Sequence, residues 1–341
     1  MIVLGIESSC DETSVAIIKD DQLKANLISS QDFHSLYGGV VPELSSRAHL
    51  QMIIPLVKQA LQKSEIKLND VDLFSATAGP GLVGALLVGL TFAKGLAFSL
   101  RKEFVPVNHI EGHIYSGFLM ESKPEFPILT LVVSGGHTLL LLVESHTKIY
   151  KLGSTVDDAV GEAFDKVSKM LGFGYPGGPK IQSAAKNGVN DEINYPIAEL
   201  KNEFDFSFSG LKTSVLRYIE KHYKKDEIIP EQELAMISYS FQEAAVGALI
   251  AKTQRALKKF NVNTLSVVGG VAANQLLRKK FAGLAESYSK KLVIPDLIYC
   301  GDNAAMIAYR AQKVFENGQR FNLNVSPYPS LPVNAFSVFT G

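Results

Sequence analysis

The stretch IVLGIESSCDETSVAII, residues 2–18, holds two β-type apolar runs, IVLGI and SVAII. Between them lies ESSCDET, a turn crowded with side-chain oxygens, so the stretch predicts a hairpin whose turn faces a ligand or solvent. Downstream, Leu50, Ile53, Ile54, Val57 and Leu61 fall at helical spacing and predict a helix over 45–63. Residues 71–98, VDLFSATAGPGLVGALLVGLTFAKGLAF, enter a Gly79-Pro80-Gly81 turn from an apolar run and leave it as a helix of small residues. The same order then returns. ILTLVVSGGHTLLLLVES, residues 128–145, reads strand, polar glycine turn, strand; TLSVVGGVAANQLLRKKF, residues 264–281, reads apolar run, Gly-Gly turn, helix. Order repeats while sequence does not. This predicts two related α/β lobes with a cleft between them rather than one large α/β domain with coincidental glycine turns. The lobes are expected over 1–108 and 109–341, the second carrying an insertion over about 153–225. That insertion holds the loop GFGYPGGPK, a hairpin-like run EFDFSFSGLKT, and a basic helix with Lys212, Arg217, Lys221, Lys224 and Lys225.

Composition narrows the classes. The 341 residues are 46% hydrophobic and 20% charged, which is globular and excludes disorder and collagen. Lys+Arg and Asp+Glu are both 34, so global charge gives no support to phosphate binding; a local patch or a partner would have to supply it. The basic helix reads as a solvated face, with a tRNA-facing patch as the sharper alternative. The two cysteines, Cys10 and Cys300, form neither a disulfide framework nor a cysteine-rich zinc module. The N-terminus lacks a basic leader region, and the apolar run 79–93 is shorter than the ~20 residues of a membrane span. These features predict a soluble cytoplasmic protein with no membrane partner.

Three groups of residues can carry chemistry. His109-Ile-Glu-Gly-His113 places two histidines at i and i+4 on one helix face, close enough to share a metal. The motif differs from HExxH: Glu111 follows the first histidine by two residues and turns away from the histidine face, so it is a poor base for a metal-bound water. Asp302, in CGDNAAMIA, is the candidate third ligand, with a plain helix N-cap as its alternative role. Two histidines and one carboxylate suit iron(II) or zinc. The second group is the glycine turns: Val133-Ser134-Gly135-Gly136-His137 and Val268-Gly269-Gly270-Val271-Ala272 offer unhindered backbone N–H groups to an anion. Neither matches a P-loop or a full GxGxxG. Asn274 could cap the helix that follows or touch a ligand. The third group is Ser8–Thr13, where Asp11 and Glu12 are candidates to bind Mg²⁺ beside a nucleotide or to act as acid and base; an ordinary solvated hairpin is the alternative. Cys10 has no activating neighbour in sequence.

Taken together, GIESSCDETSVAI, PELSSRAH, GPGLVGALLVG, HIEGHIYS, VVSGGHT, FDKVSKMLG, YPGGP, FSFSGLKT, VVGGVAAN and GDNAAM resemble, in that order and from Ile2 to about Arg310, the TsaD (YgjD/Gcp) family of tRNA N6-adenosine threonylcarbamoyltransferases. The resemblance implies the duplicated two-lobed ASKHA fold of actin, hexokinase and heat-shock 70 chaperones, with a nucleotide cleft. It implies transfer of threonylcarbamoyl from threonylcarbamoyl-AMP to N6 of adenosine 37 in tRNAs reading codons that start with A, giving t6A and AMP. It implies metal ligands at His109, His113 and Asp302. Adenylate contacts would fall at Val132, Val133, Ser134, Gly135, Gly136, Asp165, Gly178 and Asn274. At Gln182 some relatives carry an acidic residue that touches the ribose. At Val132 some archaeal relatives have a tyrosine that adds a ligand, so three protein ligands are expected here and open positions remain. The implied partners are tRNA, a shortened TsaB-like paralogue and a small TsaE-like ATPase. The competing readings are an ASKHA-type ATPase or sugar kinase, a metalloendopeptidase, and a non-catalytic scaffold.

Overall fold

β1 (Ile2–Glu7) and β2 (Glu12–Lys19) form the expected antiparallel hairpin, with Glu7 opposite Ser14, and β3 (Gln22–Ser30) extends it. The computed structural model describes residues 1–188, 193–224, 227–332 and 335–338. After the hairpin come α1 (Pro42–Ser64), β4 (Leu73–Gly79), α2 (Val83–Leu100), β5 (Glu103–Asn108) and α3 (His109–Ser116). The sheet runs β3-β2-β1-β4-β5, with β4 and β5 parallel to β1.

A second sheet starts with β6 (Ile128–Val133), β7 (Thr138–Ser145) and β8 (Lys148–Ser154). The helices α4 (Val160–Met170), α5 (Gly177–Ala185), α6 (Ser209–His222) and α7 (Glu231–Lys259) follow, then β9 (Thr264–Val268), α8 (Gln275–Ser287) and β10 (Lys291–Val293). The chain continues with α9 (Leu297–Cys300), α10 (Ala304–Glu316) and β11 (Ser337–Val338). This sheet runs β10-β9-β6-β7-β8-β11. Its first five strands repeat the first sheet's order, third-second-first-fourth-fifth, and again the fourth and fifth strands run parallel. Duplication is therefore visible in topology, where sequence showed only an echo.

The compact units divide the chain elsewhere than after residue 108. The first comprises Met1–Lys123, Ser145–Lys148 and Pro295–Phe336; the second comprises Pro124–Glu144, Ile149–Ile294 and Ser337–Gly341. The physical reason is α10, which packs on β1, β2 and α3 and so returns the C-terminal part of the chain to the first sheet.

Within the first unit the strand period of two sorts the side chains. Leu4, Ile6, Val15 and Ile17 join Ile53, Val57, Leu90 and Ala93 in the core beneath α1 and α2. Each buried Leu, Ile or Val among them contributes about 1.5–3 kcal/mol. The opposite side carries Gly5 and Ala16, small enough for α10 to lie close. A Cβ on Gly5 would sit 2.8 Å from Ala304 O and from Ala308 N, so that position accepts only glycine without a shift of α10.

Four local points go beyond or change the sequence reading. Leu50 and Ile54 of α1 are exposed although they share the helical spacing of buried Ile53 and Val57. EFDFSFSGLKT forms no hairpin: Phe206 bridges Thr155 at the end of β8, the phenylalanines at 204, 206 and 208 are buried, and α6 starts at Ser209. Lys212 of that helix is paired with Asp158 at 2.7 Å and is no free basic group, and Lys225 lies outside the described residues. Finally, α2 continues through Lys94 to Leu100, beyond the apolar run read from sequence. By length and composition α2 and α7 could each cross a membrane. Here α2 packs on β4 and α1, and α7 packs on α5 and α8.

Candidate metal centre

β5 hands the chain directly to α3, and Asn108 makes the transition by accepting hydrogen bonds at its side-chain oxygen from Ile110 N (2.8 Å) and Glu111 N (3.2 Å). This cap fixes where the helix begins and therefore where its first residue, His109, points. One turn later His113 lies on the same face, with ring centroids 4.7 Å apart and nearly edge-on. Both rings are buried. Asp302 precedes α10 and closes the group: Oδ1 is 3.4 Å from His109 Nε2 and 3.2 Å from His113 Nε2. The three ligand atoms lie within 4.8 Å of one another.

Asp302 is free for this role because it is not the helix cap. Asn303 is, its side chain accepting from Met306 N at 3.1 Å. Glu111 points away from the histidines, as its spacing predicted. Its Oε2 accepts from Arg310 Nε at 2.6 Å, joining α3 to α10. Gly112 sits at the same crossing, where a Cβ would come 2.8 Å from Ile307 Cδ1. Glu111 is thus committed to an ion pair and offers nothing to a protease-type mechanism.

The electrostatics ask for positive charge. Burial disfavours the charged form of His109, but the Asp302 and Glu7 carboxylates outweigh it and hold the imidazole well above its usual pKa. Burial likewise opposes the charged form of Asp302, but His109 and then His113 hold it well below the usual carboxylate range. Neither ring nitrogen of His113 has a hydrogen-bond partner among the described residues, even though Nε2 is close to Asp302. A buried imidazole with both nitrogens unsatisfied is costly. A divalent cation would satisfy Nε2, so the donor set fits iron(II) or zinc.

The Ser8–Asp11 loop stands beside this cluster. Ser9 Oγ is 3.3 Å from His109 Nδ1. Burial, then the Asp302 and Asp11 carboxylates, push Glu12 up to about 10. Asp11 and Glu12 both stand on this loop as candidates for proton transfer. Burial also pushes the Cys10 thiol up, which removes a thiolate nucleophile. Three residues that the sequence did not single out support the site. Glu7, a carboxylate ending an otherwise apolar strand, reaches His109. His49 holds the loop through Cys10 O, 3.0 Å from its Nε2. Arg310 anchors Glu111. The signal for Glu7 and His49 was a polar residue inside an apolar period.

The candidate adenylate residues lie in the second unit. Val132 and Val133 are buried at the end of β6, while Gly135 and Gly136 are exposed at the β6–β7 turn, with open space where side chains would be. Ser134 N donates to His137 O at 2.9 Å and shapes that turn. Asp165 Oδ1 accepts from Gly177 N at 2.7 Å, and Gly178 beside it is open. Two of these side chains serve the α8 N-terminus, Asn274 in the capping role that was one of its two expected ones and Gln182 in a role the sequence did not suggest. Asn274 is the α8 cap, accepting from Leu277 N at 3.0 Å and donating to Gln242 Oε1 at 2.7 Å. Gln182 Oε1 accepts from Gln275 N at 2.7 Å, so it too serves the α8 N-terminus.

Comparison with known proteins agrees with the motifs. A family model described as TsaD, tRNA N6-adenosine threonylcarbamoyltransferase, matches residues 22–309. Curated proteins of that name are 48% identical in Thermosipho africanus (98% of this chain, 100% of theirs) and 48% identical in Kosmotoga olearia (97% and 99%). Among solved structures, T. kodakarensis HypF superposes with a TM-score of 0.65 at 15% identity, covering 93% of this chain and 48% of its own, so this chain spans about half its length. The activator of 2-hydroxyisocaproyl-CoA dehydratase from Clostridium difficile, solved with bound ADPNP, gives 0.52 at 11% identity over 94% of this chain and 100% of its own. These two likenesses are of fold alone. With the repeated strand order they establish the duplicated α/β architecture of the ASKHA class.

Proposed function

We infer the reaction from one premise: the chain belongs to the tRNA N6-adenosine threonylcarbamoyltransferase (TsaD) family, and it is a transferase that modifies tRNA. We propose that its donor is threonylcarbamoyl-AMP and its acceptor N6 of adenosine 37 in tRNAs reading codons that begin with A. The adenine nitrogen attacks the carbamoyl carbonyl. A C–N bond forms, the C–O bond to phosphate breaks, AMP departs with the bonding pair, and N6 gives up one proton.

The observation that carries this reading is the buried convergence of His109, His113 and Asp302. We assign them to a divalent ion, iron(II) first and zinc second, which when bound supplies Lewis acidity toward the adenylate's carbonyl or phosphate. The remaining work falls to the chain. Asp302 brings one carboxylate to the two imidazoles of the donor set. Asp11 and Glu12 are the candidates to take the N6 proton. In the second unit, the Gly135–Gly136 turn offers backbone N–H groups to developing negative charge. Asp165 and Gly178 offer a further surface for the adenylate, and Asn274 and Gln182 contribute by fixing the start of α8. Adenine N6 is a weak nucleophile, so positioning supplies much of the acceleration.

We assign two helper proteins, a shortened paralogue and a small ATPase. The neutral net charge supports a need for help in tRNA capture, and the exposed Leu50, Ile54, Leu87 and Phe98 of α1 and α2 support burial against a protein partner.

The test uses donor labelled at the carbamoyl carbonyl, the helpers, and two tRNA transcripts that carry A37 or G37. Labelled t6A from the A37 transcript alone, with one AMP per t6A, is the expected result. Label at another nucleoside, or none while a complete related system works in parallel, overturns the proposal.

A further inference from the structure

We propose that Glu7 is the positioning residue of the metal centre, fixing the ring and tautomer of His109 so that Nε2 presents its lone pair to the ion; this rests on the metal reading above. Glu7 ends β1 with its side chain fully buried. Two groups hold its carboxylate independently of His109. Oε1 accepts from Ser9 N at 2.6 Å, and Oε2 accepts from Thr77 Oγ1 at 2.5 Å. The remaining direction at Oε2 meets His109 Nδ1 at 3.1 Å. With donors on both oxygens, the carboxylate has only acceptor capacity left for the imidazole. Facing an ionised carboxylate at 3.1 Å, Nδ1 carries the proton, with Ser9 Oγ at 3.3 Å standing as a second acceptor, and Nε2 is left as the atom that faces Asp302 and His113. His113 has no comparable anchor among the described residues. The two histidines are therefore unequal: His109 is preset by the β1 and β4 strand ends, while His113 has no carboxylate behind its Nδ1 among the described residues.

A carboxylate behind a ligating histidine raises its basicity and sets its orientation, and loss of such a partner typically costs roughly 10–100-fold in metal affinity. Glu7→Gln isolates this effect. The amide keeps the shape, and its oxygen can still accept from Ser9 N–H. Its NH₂ then faces Nδ1 and favours the tautomer with hydrogen on Nε2, the wrong nitrogen for a ligand.

Zinc is the probe, with affinity read by competition against a chromophoric chelator. Glu7→Gln should lose roughly 10–100-fold in zinc affinity. In the zinc-loaded wild type, ¹⁵N NMR of the His109 ring should show a protonated Nδ1 and a ligating Nε2. A merely structural role for Glu7 would lower stability and leave zinc affinity and the His109 tautomer unchanged. If His109→Ala loses zinc while Glu7→Gln binds it as tightly as the wild type, this proposal fails and the metal reading survives. If wild type and His109→Ala bind zinc alike, both fail. Should Glu7→Gln not fold, the wild-type spectrum decides: ligation through Nδ1, or an unprotonated Nδ1, overturns the proposal.

Discussion

Arg310→Met removes the group that ties α10 to α3, and its cost follows from what the guanidinium leaves behind. Nε donates to Glu111 Oε2 at 2.6 Å; Nη1 donates to Tyr115 Oη at 2.8 Å and to His146 O at 2.9 Å. The Arg310 side chain is 7% exposed and that of Glu111 is 20% exposed. Methionine fills the volume but leaves Glu111 without its cation and strips a donor from Tyr115 and from His146. Breaking a buried pair costs about 3–5 kcal/mol. Because Glu111 can partly rehydrate, we expect about 3 kcal/mol, the lower end of that range. Exposed pairs, by contrast, are worth about 1 kcal/mol or less. The chain has no tryptophan, so urea unfolding is best followed by circular dichroism. A double variant, Arg310→Met with Glu111→Met, removes both charges and should recover much of the loss, because apolar replacement of a whole buried pair is often neutral. A single-variant loss below about 1 kcal/mol would place the pair in the exposed class and refute the reasoning. So would a double variant less stable than Arg310→Met.

Two further outcomes follow from the same unit. Burial lowers the pKa of His49 below 6.5, with the Cys10 carbonyl opposing the shift. Between the folded value and 6.5 the unfolded chain holds a proton that the native state lacks. The contribution is therefore complete above pH 6.5 and is lost as pH falls through the folded value, with a slope of at most about 1.4 kcal/mol per pH unit. His49→Gln should flatten the acid limb of stability against pH, and an unchanged limb would count against this account. Gly5→Ala places a methyl against the α10 backbone and should cost about 1–3 kcal/mol, read as a lower urea midpoint; it should also weaken zinc binding, since Asp302 lies just ahead of the displaced helix start.

The parts of this molecule legible in its sequence were those with a strong local signature. Near-continuous apolar runs marked β1, β2, β6 and β7, and glycines marked the turns between elements. The i, i+4 spacing put His109 and His113 on one face and turned Glu111 off it. Asp302 was named as a candidate ligand from sequence, but its alternative role as a helix cap could be set aside only by the fold, where Asn303 is the cap. Gln182 looked available because sequence cannot show that it accepts from Gln275 N at the start of α8, whereas the cap role of Asn274 was one of the two it was given. The exposure of Leu50 and Ile54 was not legible, because a helical period reports an apolar stripe without saying what covers it. The boundary after residue 108 missed α10, whose return to the first sheet is a long-range contact with no local mark.

The central claim is that the His109–His113–Asp302 cluster serves the transfer reaction. The most direct measurement is t6A formation by metal-stripped wild type and His113→Ala, each titrated with iron(II) in the presence of helpers, tRNA and threonylcarbamoyl-AMP. The account predicts that wild type regains activity at one ion per chain and that His113→Ala stays inactive throughout. Full activity in the stripped wild type, or an equal response from His113→Ala, would contradict it.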